Sequence, residues 1–189
     1  LVGSEMCIRD SSITGEFMPG VPSLMLPVAS DGTPLEKFFP RSEWKYTVSS
    51  RKSNIQHFYT FVSPRLRAVH PSNFIRIAPD VASEQGIRSG DKVKVTTPYG
   101  AQVGEAFVTD GVASGVISIE HGFGHDEFGI RTHLVDGKPA FGIANLEKGV
   151  NHNKLGLLDP KRNGEFSLND WLVGTCARQA LPAKIRKIS

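Results

Sequence analysis

Four short stretches carry the side chains that could do chemistry. Ser49–His57 (SSRKSNIQH) gathers hydroxyls at Ser50 and Ser53, cations at Arg51 and Lys52, an amide at Gln56 and an imidazole at His57. Hydroxyl and backbone donors beside a cation are what phosphate oxygens and a heterocycle edge require. A polar run of this kind equally suits a solvated loop. His121–His125 (HGFGH) sets two imidazoles around Gly122 and Gly124. Histidines at i and i+4 share a helix face and could hold a metal, but the glycines and the preceding β-prone run argue against a helix here. Glycines that end a strand let backbone approach a ligand closely. The stretch therefore reads either as a pocket-lining loop, with His121 or His125 donating, or as a plain turn. Asn151 and Asn153 (GVNHNKL) offer amide donors and acceptors for a heterocycle edge, or simply form a turn. Arg178 and Gln179, read alone, are an exposed basic patch. The chain contains no paired carboxylates, no nucleophile–histidine arrangement and no GxxxxGK loop. This chemistry is binding, not bond-making.

The elements that must position these residues follow from composition and periodicity. The chain has 189 residues, enough for one domain, and 19 Gly with 12 Pro, which favour short strands and turns over long helices. A net charge of +3 is too mild for a nucleic-acid partner but suits a pyrophosphate-bearing ligand. No apolar run reaches the roughly 18 residues of a membrane span. Cys7 and Cys176 form no CxxC, and Cys176 is expected to be a small buried apolar residue. Leu1–Ser11 (LVGSEMCIRDS) resembles a translated adapter sequence and is set aside, so residues 1–11 count as non-native. Residues 12–43 read as an irregular, proline-rich lead-in, and residues 44–189 as the domain.

Within the domain, a strand is expected to start at Trp44–Thr47, with Ser49–His57 a loop. Phe58–Val62 is apolar and β-prone, and Pro64–Asn73 is a connection. Phe74–Ile77 reads as a strand, and Pro79-Asp80 opens a short helix to Gln85 with Gly86 as a left-handed cap. Ser89–Asp91 is a turn that Asp91 caps. Lys92–Thr96 alternates polar and apolar as a half-buried strand does. Ala101–Thr109 and Val116–Glu120 are further strands, Asp170–Ala177 a short helix, and Leu181–Ile188 a closing strand. Short strands at this spacing predict a barrel or sandwich.

The ordered string IAPDVASEQGIRSGDKVKVTTPYG followed by VTDGVASGVISIEHGFGH (within Phe74–His125) resembles the molybdopterin dinucleotide-binding domain of the dimethyl sulfoxide reductase superfamily. That resemblance implies a mainly β fold with short helices, a double-psi β-barrel. EHGFGHDEFGIRTH, GVNHNKLGLLDPKR and DWLVGTCARQALPAKIRKI resemble the tail of tetrathionate reductase catalytic subunits. Respiratory arsenate reductases and polysulfide or thiosulfate reductases belong to the same broader group.

The resemblance implies that Ser50, Arg51, Lys52, Ser53, Gln56, His57, His121, Gly122, Gly124, His125, Asn151, Asn153, Arg178 and Gln179 surround one arm of a bis(molybdopterin guanine dinucleotide) carrying molybdenum. It also implies upstream domains with a 4Fe-4S cluster and the molybdenum ligand, and hence no turnover by this piece alone. In the same way it implies an iron–sulfur electron-transfer subunit, a membrane quinol-oxidising subunit, and periplasmic export on a twin-arginine signal. The competing reading is a non-enzymatic double-psi adaptor with an exposed apolar groove. Convergence of Arg51, Lys52, His121 and Asn151 on one cleft would favour the cofactor domain, and their scatter the adaptor.

Overall fold

The computed structural model describes residues 17, 27–56, 60–126, 133–140, 147–169 and 175–188. The described residues include eight strands: β1 (Tyr46–Arg51), β2 (Ile75–Ile77), β3 (Lys92–Thr97), β4 (Gly100–Val108), β5 (Val116–Glu120), β6 (His133–Val135), β7 (Lys138–Ala140) and β8 (Leu181–Lys187). Two α-helices interrupt them among the described residues, α1 (Pro64–Val69) and α2 (Pro79–Gln85). Six strands close a mixed barrel in the order β1-β5-β2-β4-β3-β8, and β6 and β7 form a separate hairpin. The pairs β1/β5 and β2/β4 run parallel, while β2/β5, β3/β4, β3/β8 and β1/β8 run antiparallel. This is the mainly β barrel expected from the sequence.

The period-2 pattern explains why the ring closes. Val48, Ile75, Ile77, Val93, Val95, Ile117, Ile119, Leu181 and Ala183 all turn inward and are fully buried, whereas Lys92 stays exposed between turn and core. In α2, Pro79 occupies the first turn, where its missing N–H costs nothing, and Gly86 ends the helix at φ 62°. Asp91 accepts from the Arg88 N–H at 2.8 Å and so caps the turn before β3. The lead-in is tied on by Ala29 and Leu35, which join the core.

Several expectations are corrected. Ser49–Arg51 are strand, because β5 supplies parallel backbone partners as far as Arg51↔Glu120. Pro64–Val69 is a helix, begun by a proline in its first turn after Ser63. Thr60–Val62 form a turn. Thr175–Ala177 are extended, with Cys176 bridged to Asn169 and exposed to solvent, not buried. The rest of the helix expected at Asp170–Ala177 lies outside the described residues, as do Leu1–Ser11, His57 and Phe58.

Candidate functional site

The site forms at the barrel end where β1 and β5 terminate side by side. Parallel pairing brings Ser50 and Arg51 next to Ile119 and Glu120, so the residues after each strand emerge together. Successive side chains on a strand point to opposite faces. Ser50 faces a cavity of about 490 Å³. Arg51 is therefore directed away from it and forms a salt bridge with Glu120.

Ser50, His121, Gly122, His125, Asn151, Asn153 and Arg178 line that one cavity. The sequence reading missed three further lining residues, Phe61, Phe123 and His152. Gly124 acts through its backbone: at φ 66°, a Cβ there would stand 2.6 Å from the Asn151 nitrogen. Only glycine lets the loop after β5 lie flat on the segment carrying Asn151. Asn151 also forms the turn anticipated for it, its side chain accepting from the Asn153 N–H at 3.1 Å.

The other expected residues are placed elsewhere. Lys52 is exposed and reaches the cavity only through its charge, which acts on His121. The Ser53 hydroxyl accepts from the N–H groups of Ile55 and Gln56, each at 3.1 Å, and caps a turn. Gln56 is buried and donates from Nε2 to the His70 carbonyl at 2.7 Å. Gln179 clamps Ser50, accepting from its N–H at 3.0 Å and donating to its Oγ at 2.7 Å. His57 lies outside the described residues. Of the four residues whose placement separates the two readings, His121 and Asn151 meet at the cavity, and Arg51 and Lys52 do not. An apolar groove of about 400 Å³, of the kind the adaptor reading expects, lies between the lead-in and residues 177–182, with Leu35, Phe39, Leu157 and Leu168 in its wall.

Behind the cavity lies a buried polar scaffold. Glu120 is 2% exposed and is held by Arg51, by His70 Nε2 at 2.7 Å and by Arg76 at 3.6 Å. Burial works to raise its carboxyl, but Arg51 and His70 outweigh that and hold it below the usual range. Asn73 donates from Nδ2 to the carbonyls of Glu120 (2.6 Å) and Val150 (3.0 Å) and accepts from the Val150 N–H (2.7 Å). Arg67, 1% exposed, donates to the carbonyls of Phe61 and Gly122, both at 2.8 Å. Apart from Arg67 and Phe61, these partners lie far apart in the sequence, and no local pattern announces them.

The cavity's imidazoles are kept neutral near pH 7. Burial lowers His121, His125 and His152, with the charges of Lys52 and Arg178 adding to the effect at His121, and Arg67 at His125. His152 is driven furthest, to about 4, by burial and then by His121 and Arg178. Among the described residues, Nε2 of His125 and Nε2 of His152 are buried without a hydrogen-bond partner. A buried polar atom left unmatched costs free energy, so both nitrogens are groups a ligand could satisfy. Phe61 stacks on His125 with centroids 4.9 Å apart, adding a flat apolar wall. The arrangement suits a planar heterocycle against amides and imidazoles, with anionic groups near Arg178.

Residues 46–162 match the model of the Molydopterin dinucleotide binding domain. Over 185 residues the chain is 39% identical to a tetrathionate reductase subunit from Salmonella typhimurium, covering 98% of this chain and 18% of that protein. Over 128 residues it is 34% identical to the corresponding tetrathionate reductase subunit from Archaeoglobus fulgidus, covering 60% of this chain and 11% of that protein. The chain thus spans under a fifth of the length of these relatives. Acetylene hydratase from Pelobacter acetylenicus shares the fold at TM-score 0.57 and 18% identity, over 89% of this chain and 21% of that one. A family match that runs from β1 through the segment carrying Asn151 and Asn153 decides the question of kinship: the chain belongs to the molybdopterin dinucleotide-binding domain family.

Proposed function

We propose that this chain is the C-terminal cofactor-binding piece of a respiratory molybdenum oxidoreductase that reduces tetrathionate, and that its cavity holds one arm of bis(molybdopterin guanine dinucleotide). The observation that carries the reading is a family-matched barrel whose mouth presents buried imidazole nitrogens with no partner among the described residues. Those residues fit the group. Asn151, Asn153, His125 and His152 can satisfy the donors and acceptors of a heterocycle edge, the Ser50 hydroxyl can bond an oxygen, and Arg178 can pair with a phosphate. When bound, the cofactor would supply the two-electron chemistry that splits the central S–S bond of tetrathionate into two thiosulfates.

This chain's own residues bind and orient. Phe61 and Phe123 exclude water from one side, and the neutral histidines accept or donate without adding charge. Guanosine diphosphate is the accessible probe of the nucleotide end. It should bind saturably to the 189-residue chain, and Arg178→Ala should weaken it about tenfold, mainly at low salt. Absence of saturable binding would sink the cofactor reading.

Identity to two tetrathionate reductase subunits supports the substrate assignment. The test is viologen-linked reduction of tetrathionate, arsenate and thiosulfate by the longer polypeptide that contains this sequence, with tetrathionate expected to be fastest. The chain alone should turn over none of them. A 4Fe-4S cluster in that longer polypeptide, an iron–sulfur partner subunit, a membrane quinol-oxidising subunit, and periplasmic export by a twin-arginine signal complete the proposal.

A further inference from the structure

One buried cation serves no ion pair among the described residues, yet joins two of the cavity's walls. Arg67 sits on α1 with 1% exposure, and among the described residues it makes no salt bridge. Its Nε–H reaches the Phe61 carbonyl and its Nη2–H the Gly122 carbonyl, both at 2.8 Å. The guanidinium lies over the Phe123 ring, 4.7 Å from the centroid. Phe61, Gly122 and Phe123 all line the cavity. Phe61 belongs to a turn and Gly122 to the loop after β5, so neither is fixed by a strand ladder.

Burying an unpaired cation is costly, and an apolar residue would fill the space more cheaply if packing were its whole use. What an apolar residue cannot do is hold two carbonyls at a set separation. A planar fork can, and a lysine ammonium, with one point of charge, cannot do so at fixed geometry. We propose that Arg67 is a positioning residue of the cavity, setting the spacing between the Phe61 wall and the Gly122–Phe123 wall so that a flat heterocycle fits between them. The proposal rests on the cofactor reading. It assigns Arg67 to the heterocycle end of the ligand, and leaves the phosphates to Arg178.

The test compares guanosine diphosphate with inorganic pyrophosphate as probes, titrated into the 189-residue chain and its variants. In Arg67→Lys and Arg67→Met, affinity for guanosine diphosphate should fall about tenfold or more, while affinity for pyrophosphate should change less than about twofold. Loss of a merely structural clamp would weaken both probes alike, and that result overturns the proposal. So do variants that bind both probes as the parent does. If Arg67→Met fails to fold, Arg67→Lys carries the comparison. Phe61→Ala, which removes the wall and leaves the clamp, must then show the same nucleotide-selective loss. A parent chain that takes neither probe overturns the cofactor reading itself, and this proposal with it.

Discussion

The barrel interior and the barrel mouth bury side chains on different terms. Inside, Val48, Ile75, Ile77, Ile117 and Ile119 are fully buried and wholly apolar. Any close-packed set of the right volume would serve there. At the mouth, Gln56, Arg67, Asn73, Glu120 and His152 are nearly as buried but polar or charged. Each must find its partner or cost free energy. Asn73 satisfies all of its obvious groups within the chain, whereas His152 Nε2 finds no partner among the described residues. The interior therefore makes the fold, and the mouth marks where something else is expected to bind.

The largest effect should come from breaking the interior. Ile119→Ala leaves a cavity on β5 where it meets both β1 and β2, and should cost about 2–5 kcal/mol. Urea denaturation with an unchanged m-value measures this. A cost below about 1 kcal/mol would mean that the ring does not rest on its apolar core. Asn73→Leu comes next. It is nearly isosteric, but it strands two carbonyls and an N–H at the ends of β5 and the Val150 segment, for roughly 2–3 kcal/mol. If Asn73→Leu proves neutral, the buried polar scaffold is decoration and the contrast between interior and mouth fails.

These two residues also show what a sequence can announce. Ile119 sits in an alternating run, and the turn-bounded strands around it are readable from period and punctuation. So is α2, from Pro79-Asp80 and Gly86. Helix α1 escapes because it is a single short helix whose cue, Ser63-Pro64, resembles any connection. The polar end of β1 escapes because its pairing partner Glu120 lies 69 positions away. Arg51, a cation in a polar run, reads as a phosphate contact, yet strand alternation turns it onto that carboxylate. Asn73, Gln56 and Arg67 have no local signature for burial, since what buries them is the meeting of remote segments. The cavity residues that are legible, His121, His125 and Asn151, flank glycines or turns, which sequence does mark. His152 stands between two asparagines and is masked by them.

A smaller change is expected from Asn151→Ala. It removes the side chain that accepts from the Asn153 N–H at the start of the short 3-10 helix His152–Leu155, costing about 1 kcal/mol. Guanosine diphosphate binding should drop more than that stability loss alone implies, because Asn151 also lines the cavity. Equal losses of stability and binding would reduce Asn151 to a turn former.

The smallest effect at neutral pH belongs to His152→Leu, and its value lies in its pH dependence. Leucine removes the unmatched Nε2 while keeping the volume filled, so stability at about pH 7.5 should stay within about 1 kcal/mol of the parent. In the parent, the folded-state pKa of about 4 lies below the ordinary histidine value of 6.5. Between those values the unfolded chain binds the proton and the folded chain does not, so stability falls as the pH drops through that window. The stabilisation is complete above 6.5 and exhausted near 4. The full difference is on the order of 3 kcal/mol. His121 and His125 are displaced in the same direction and add to the slope. His152→Leu should therefore be the more acid-resistant chain, its denaturation midpoint declining less between about pH 7 and about pH 4.5. An identical decline in both chains would show that His152 titrates freely, and the neutral-imidazole lining of the mouth would have to be abandoned.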